Sequence, residues 1–157
     1  SHTNVKSCES YQIPLERNMS ATIPASHRDL IDGPILVTFT TIMPDGQPQS
    51  TITWCNGKGE RVWVNSAVGR QKDKNIRRDP RVTILALDPN DPYRWIEIRG
   101  VVETITEEGG AAHIDELARL YAGAPAYYGH VTPAEQAPKE TRVIYKIRPG
   151  RVLAFGD

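Results

Sequence analysis

The sequence is poor in cysteine, in aromatic residues and in long apolar runs, and it carries no excess of either charge. Its two cysteines, Cys8 and Cys55, form no CxxC, and the four histidines (His2, His27, His113, His130) are scattered. A small scaffold stapled by zinc or by disulfides is therefore excluded, and a Cys8–Cys55 disulfide is not expected. Apolar runs such as Ile35-Leu36-Val37 break within a few residues, far short of the ~20 that cross a bilayer as a helix. No apolar segment follows a basic start, so the expectation is a chain without a secretory leader, working in a reduced, cytoplasmic setting with no membrane partner. Lys plus Arg number 19 and Asp plus Glu number 19, giving a formal net charge of zero. That balance excludes a globally basic nucleic-acid binder but leaves room for a local patch.

What is present suits one compact domain: 157 residues, of which 39% are hydrophobic and 24% charged, with no polar low-complexity tract. Residues 1–20 are polar and without periodicity, and read as a flexible N-terminal arm; residues 21–157 read as a single domain. Within it, Pro24 followed by Ala25 to Ile31 and stopped by Asp32-Gly33 predicts a short capping helix. Pro34 to Met43, Pro48 to Cys55 and Arg61 to Val68 are extended segments separated by Pro44-Asp45-Gly46-Gln47 and Gly57-Lys58-Gly59-Glu60, the spacing of a three-stranded antiparallel meander. Pro48 opens its strand, where a missing donor costs least. A polar helix over Arg70 to Asp79 stops at Pro80, strands resume over 81–88 and 95–106, and Ile114, Leu117, Ala118 and Tyr121 mark a helix over 107–121. A Gly/Pro/Tyr-rich loop over 122–138 precedes Thr141 to Ile147 and Arg151 to Phe155, which close the chain as a strand or broken hairpin. Six or seven strands with few helices predict a mainly β fold, an antiparallel barrel that removes exposed edges.

The neutral average conceals one cationic segment. Arg70, Lys72, Lys74, Arg77, Arg78 and Arg81 are opposed locally only by Asp73 and Asp79. On a helix Arg70, Lys74, Arg77 and Arg78 share a face, whereas Ile76 points at the barrel and Lys72, four residues earlier, lies near that inward side. A lysine there, at the first turn after Gly69, is placed to hold an anion with help from the helix N-terminal amides. The competing reading is a solvated basic face that only aids solubility. The strand ending Val64-Asn65-Ser66 and the polar strand Gln49-Ser50-Thr51-Ile52-Thr53-Trp54 supply further groups suited to line a ligand site.

Asp45-Gly46-Gln47-Pro48-Gln49, followed about twenty residues later by Gly69 to Arg81 with its Asn75-Ile76-Arg77-Arg78-Asp79-Pro80-Arg81 ending, resembles the pyridoxamine 5'-phosphate oxidase-like FMN-binding split β-barrel family. The similarity spans about residues 24–156 and is greatest to the branch of oxidoreductases that uses the deazaflavin coenzyme F420. The resemblance implies a six- to seven-stranded split barrel, a homodimer with cofactor at the interface, and a small-molecule substrate. It implies that the ring system lies against Gln49, Ser50, Thr51, Thr53 and Trp54, with Asn65 and Ser66 nearby. Arg70 and Lys72 match the phosphate-gripping positions, and Asn75 belongs to the same helix motif. Lys74 is placed for the phosphate or an acidic oligoglutamate tail. The substrate-phosphate arginine and histidine motifs of true pyridoxamine phosphate oxidases have no match between Arg142 and Phe155.

Three functions follow as expectations: an F420-dependent oxidoreductase, an FMN-dependent oxidoreductase on the same barrel, and a non-catalytic carrier of a flavin-like or haem-like ligand. No acid–base pair is required; the proton comes from solvent or from Tyr127, Tyr128 or His130 in the loop. Trp54, Trp63 and Trp95 read as strand residues packed in the barrel or a dimer interface, Cys55 as a packed small hydrophobe, and His113 as a surface or interface residue. Glu97 and Arg99 point the same way from one strand.

Overall fold

The computed structural model describes residues 20–157; the arm expected over residues 1–20, including Cys8, lies outside the described residues except for Ser20. Seven strands follow in order: β1 (Val37–Ile42), β2 (Pro48–Thr53), β3 (Cys55–Lys58), β4 (Arg61–Ala67), β5 (Arg81–Asp88), β6 (Asp91–Thr106) and β7 (Arg142–Phe155). The helices are α1 (Asp29–Asp32), α2 (Gln71–Arg78) and α3 (Gly110–Ala122). All pairings are antiparallel, in the sheet order β2-β1-β5-β6-β7-β4-β3.

That order corrects the expected meander. The segment from Pro48 to Cys55 is two strands, because the chain breaks at Trp54: β2 pairs with β1, and β3 pairs with β4. The two outermost strands of the sheet are thus joined by one residue, which forces the sheet to curl until its edges approach. Tyr121 from α3 holds the break. Its hydroxyl accepts the Cys55 N–H at 3.0 Å, lies 2.8 Å from the Ile35 carbonyl and 2.9 Å from that of Cys55, and its ring stacks on Trp54. Backbone groups that a break would strand are thereby satisfied.

The long strands β6 and β7 make the barrel split. β5 pairs with the first part of β6, from Trp95 to Val101, while β4 pairs with the first part of β7, from Arg142 to Ile147. β6 and β7 pair with each other along Trp95 to Thr106, with register shifts at Arg99/Gly100 and Val102/Thr104 that bend the ladder from one lobe into the other. The closing segment is therefore one long strand and no hairpin. Strict alternation sends Val37, Phe39, Val62, Val64, Ile84, Ala86, Ile96, Ile98, Tyr145 and Ile147 into one core.

Helices close this core. The capping helix expected over 25–31 is a 3-10 turn over Ala25–His27 followed by α1, whose Leu30 and Ile31 are fully buried, each contributing about 1.5–3 kcal/mol. α2 buries Ile76 against the barrel as its pattern requires. α3 begins at Gly110, later than the pattern alone suggests. A Cβ at Gly110 would sit 2.4 Å from the Arg142 carbonyl, so only glycine lets the helix press against the start of β7. Tyr145, deep in β7, ties α2 to the barrel through Asp73. Cys55 is a fully buried free thiol, its pKa pushed up to about 12 by burial.

Candidate cofactor site

A cavity of about 200 Å³ opens where the β2–β3 break, β4, the α2 N-terminus and the start of β7 converge. Thr53 and Trp54 come from the break, Asn65 from β4, Arg70 from the N-cap and Lys72 from the first turn of α2, and Arg142 from β7; Tyr127 and Val131 of the 123–141 connection also line it. A second cavity of about 560 Å³ shares Arg70 and Tyr127 and continues past Gly69 toward Lys139 and Glu140. Five residues singled out in the sequence (Thr53, Trp54, Asn65, Arg70, Lys72) therefore line one cavity.

Local sequence explains the cationic cluster. Gly69 takes φ +91°, open to glycine but strained for other residues, and turns the chain sharply from β4 into α2. Its N–H donates to Asp73 Oδ2 at 3.0 Å, so Asp73 anchors the first helical turn from the buried side. Asp73 also accepts hydrogen bonds from Tyr145 and Arg77. Burial alone raises its pKa, but the bonds from Arg77, the Gly69 N–H and Tyr145 outweigh that and hold it below the usual carboxylate range. With α2 fixed this way, Lys72 faces the cavity half-buried while Lys74 faces solvent.

Three cations surround the small cavity. Glu140 accepts from Arg70 at 3.0 Å and from Arg142 at 3.1 Å. Among the described residues no carboxylate pairs with Lys72. Burial, then Arg70 and Arg142, lower the Lys72 pKa. A half-buried ammonium facing two guanidiniums that share one carboxylate has the charge and geometry suited to an anion, which would supply the missing counter-charge. Beside it, Trp54 and Tyr127 meet edge to face at 6.1 Å, and the Arg142 guanidinium lies 5.1 Å from the centroid of the Tyr127 ring. These aromatics suit the flat body of a heterocyclic ligand.

Other expected site residues do not line this cavity. Strand alternation places Gln49, Thr51 and Thr53 on one face of β2 and Ser50 on the other, where its hydroxyl meets Thr40 at 2.8 Å. Ser66 is fully buried on the core face of β4 with Val62 and Val64, whereas Asn65 faces α3. Asn75 is fully buried, donating to Thr41 and Gln49 and accepting from Gln71; it fixes Gln49 from beneath. Tyr128 packs on Tyr127 and His130 is exposed.

Two residues escaped the sequence reading. Arg142 opens β7 with a side chain only 5% exposed, and nothing in its strand-start position distinguishes it from a surface arginine. His113, expected at a surface or interface, is buried in α3 with both ring nitrogens hydrogen-bonded. Burial lowers its pKa to about 4. The helical spacing of His113 with Leu117 was the available signal. Glu97 and Arg99 pair with each other at 2.8 Å on the outer face.

The pyridoxamine 5'-phosphate oxidase family model matches residues 23–155 of this chain. A solved F420 reductase is 32% identical, with a TM-score of 0.72, over 83% of this chain and 98% of that one. A conserved hypothetical protein from Mycobacterium tuberculosis is 26% identical, with a TM-score of 0.64, over 87% and 86% of the two chains. A putative pyridoxamine 5'-phosphate oxidase from Listeria innocua shares the fold at 17% identity and a TM-score of 0.58, over 80% of this chain and 91% of that one. A search of curated proteins found no match.

Proposed function

Since the chain belongs to the pyridoxamine 5'-phosphate oxidase family, we propose that it is an oxidoreductase using the deazaflavin coenzyme F420 to reduce an unsaturated or carbonyl-type small molecule. The observation that carries the reading is Lys72, half-buried without a carboxylate and facing Arg70 and Arg142. The likeness to an F420 reductase favours the deazaflavin over other phosphate-bearing cofactors. When bound, the reduced deazaflavin supplies a hydride, and the chain's task is to bind, orient and shield.

Arg70, Lys72 and Arg142 hold the phosphate, each charge-assisted bond contributing about 1.5–3 kcal/mol. Thr53 and Trp54 at the β2–β3 break offer an edge for the ring system, and Tyr127 covers it from the 123–141 connection. Lys139, lining the adjoining cavity, is a further cation for an acidic tail. No acid in the cavity is needed, and solvent supplies the substrate proton.

We infer that a second copy of the chain covers the open side of the site. The outer sheet face supports this. Register aligns Ile52, Thr38, Leu85, Glu97 and Leu153 in one row and Leu87, Trp95 and Phe155 in the next. Ile52 is 63% exposed and Phe155 56% exposed. Exposed apolar side chains gathered on one face, here around the Glu97–Arg99 pair, favour an interface.

FMN is the second reading, because its phosphate suits the same three cations. Purification from a host making both cofactors, with mass spectrometry of the released ligand, separates the two. Absorbance near about 420 nm is expected, against about 450 nm for FMN. Retention of FMN with no uptake of F420 overturns the first reading, and tight binding without turnover of enones or quinones favours a carrier.

A further inference from the structure

Four buried side chains, Arg142, Asn65, His113 and Asn56, form a hydrogen-bonded chain from the cationic cavity to Glu116 of α3 at the surface, and its polarity is compelled. Arg142 Nε donates to Asn65 Oδ1 at 2.9 Å. An arginine has only donors, so the oxygen of the Asn65 amide must face it. The Asn65 Nδ2 group then points at the Gly110 carbonyl, 3.0 Å away, and at His113 Nδ1, 3.1 Å away. His113 Nδ1 is therefore an acceptor, and the ring proton sits on Nε2, donated to Asn56 Oδ1 at 2.8 Å. Asn56 Nδ2 in turn donates to Glu116 Oε1 at 3.1 Å, where Lys58 also binds. A pure donor at one end and a carboxylate at the other leave each amide one orientation and the imidazole one tautomer.

We propose that His113 is a positioning residue for the anion site: as a neutral acceptor it locks the Asn65 amide, which holds the buried Arg142 guanidinium toward the cavity beside Lys72. The proposal rests on the reading of that cavity as the cofactor-phosphate site. Without the acceptor at His113 Nδ1, one Asn65 N–H is left buried with no partner, and only the Gly110 carbonyl and the Arg142 Nε–H still hold the amide. A less firmly held Asn65 Oδ1 gives Arg142 weaker support, and the guanidinium would shift toward Glu140, which it already touches through Nη1. Protonation of His113 Nδ1 would have the same effect. The charges facing the ring are Glu116 on its own helix, Lys58 on β3 and Arg142 on β7.

The test is a mutant cycle on the full chain, with F420 and FMN titrated by fluorescence. His113→Leu keeps the ring's approximate volume but has no acceptor; a loss of affinity of about tenfold is expected, about 1.4 kcal/mol. Arg142→Ala should lose at least as much, and adding His113→Leu to Arg142→Ala should cost nothing more. A merely structural role predicts instead that His113→Leu weakens binding equally in both backgrounds, which overturns the proposal. So does an unchanged affinity in His113→Leu when Arg142→Ala is impaired. If Lys72→Ala and Arg142→Ala both leave affinity unchanged, the phosphate-site reading fails with it. Should His113→Leu not fold, nitrogen-15 NMR of the unaltered protein decides: a protonated Nε2, an unprotonated Nδ1 and a slowly exchanging Arg142 Nε–H are expected, and the opposite tautomer refutes the chain.

Discussion

The phenol of Tyr145, fully buried at the centre of β7, donates a 2.8 Å hydrogen bond to Asp73 Oδ1 in the first turn of α2. This contact binds the cationic helix to the barrel floor, and Lys72 is its sequence neighbour. Asp73→Ala would strand a buried hydroxyl and free the Gly69 N–H. A loss of about 2–3 kcal/mol in urea unfolding is expected, together with weaker cofactor binding; retention of full stability would show that α2 is held otherwise.

The same carboxylate sets an acid limit. Its pKa in the fold is lowered, so its contribution is complete above the ordinary carboxylate range of about 4 and is lost as pH falls through the depressed folded value. Asp73→Asn is expected to be less stable at neutral pH and to show a flatter dependence of stability on pH below about 4, read by denaturant unfolding at a series of pH values.

Lys72 and Lys74 sit two residues apart but face opposite environments. Lys72→Ala should weaken F420 or FMN binding at least about tenfold, with Lys74→Ala changing it by less than about twofold, since exposed charges contribute little. Because the Lys72 pKa is lowered, affinity should fall as pH rises toward that value, and this part of the pH profile should vanish in Lys72→Ala.

Tyr121→Phe removes the acceptor for the Cys55 N–H at the β2–β3 break. A loss of about 1–3 kcal/mol in thermal or denaturant unfolding is expected, accompanied by a shift in Trp54 emission because the two rings stack at 5.1 Å.

Leu87→Asp places a charge in the row with Trp95 and Phe155. Light scattering should read a dimer for the unaltered chain and a monomer for the variant; a monomeric unaltered chain would remove the outer face as an interface.

Local pattern was enough for most elements. Alternating β-branched residues, the Asp45-Gly46 turn, Pro80 and the spacing of Ile114, Leu117 and Ala118 each act within a few residues, and the structure follows them. The inward side of α2 was legible for the same reason, since Ile76 is its only apolar residue. Long-range pairing was not. Nothing local distinguishes a continuous strand through Trp54 from two strands at opposite ends of a sheet; that break depends on Tyr121, 67 residues away from Trp54 in the chain. The placement of Ser66 and Asn65 on opposite faces, the burial of Asn75, and the entry of Arg142 into the cavity likewise depend on register.

The amino-acid sequence by itself determined a mainly β chain, a cationic helix opening at Gly69 and the inward aim of Lys72, because propensity, turn chemistry and periodicity are local forces. Tertiary structure alone decided that Arg142 joins Lys72 and that His113 lies buried behind it. Those positions come from the packing of α3 and β7 against β4, and a buried polar group takes its partners from whatever the fold brings within about 3 Å.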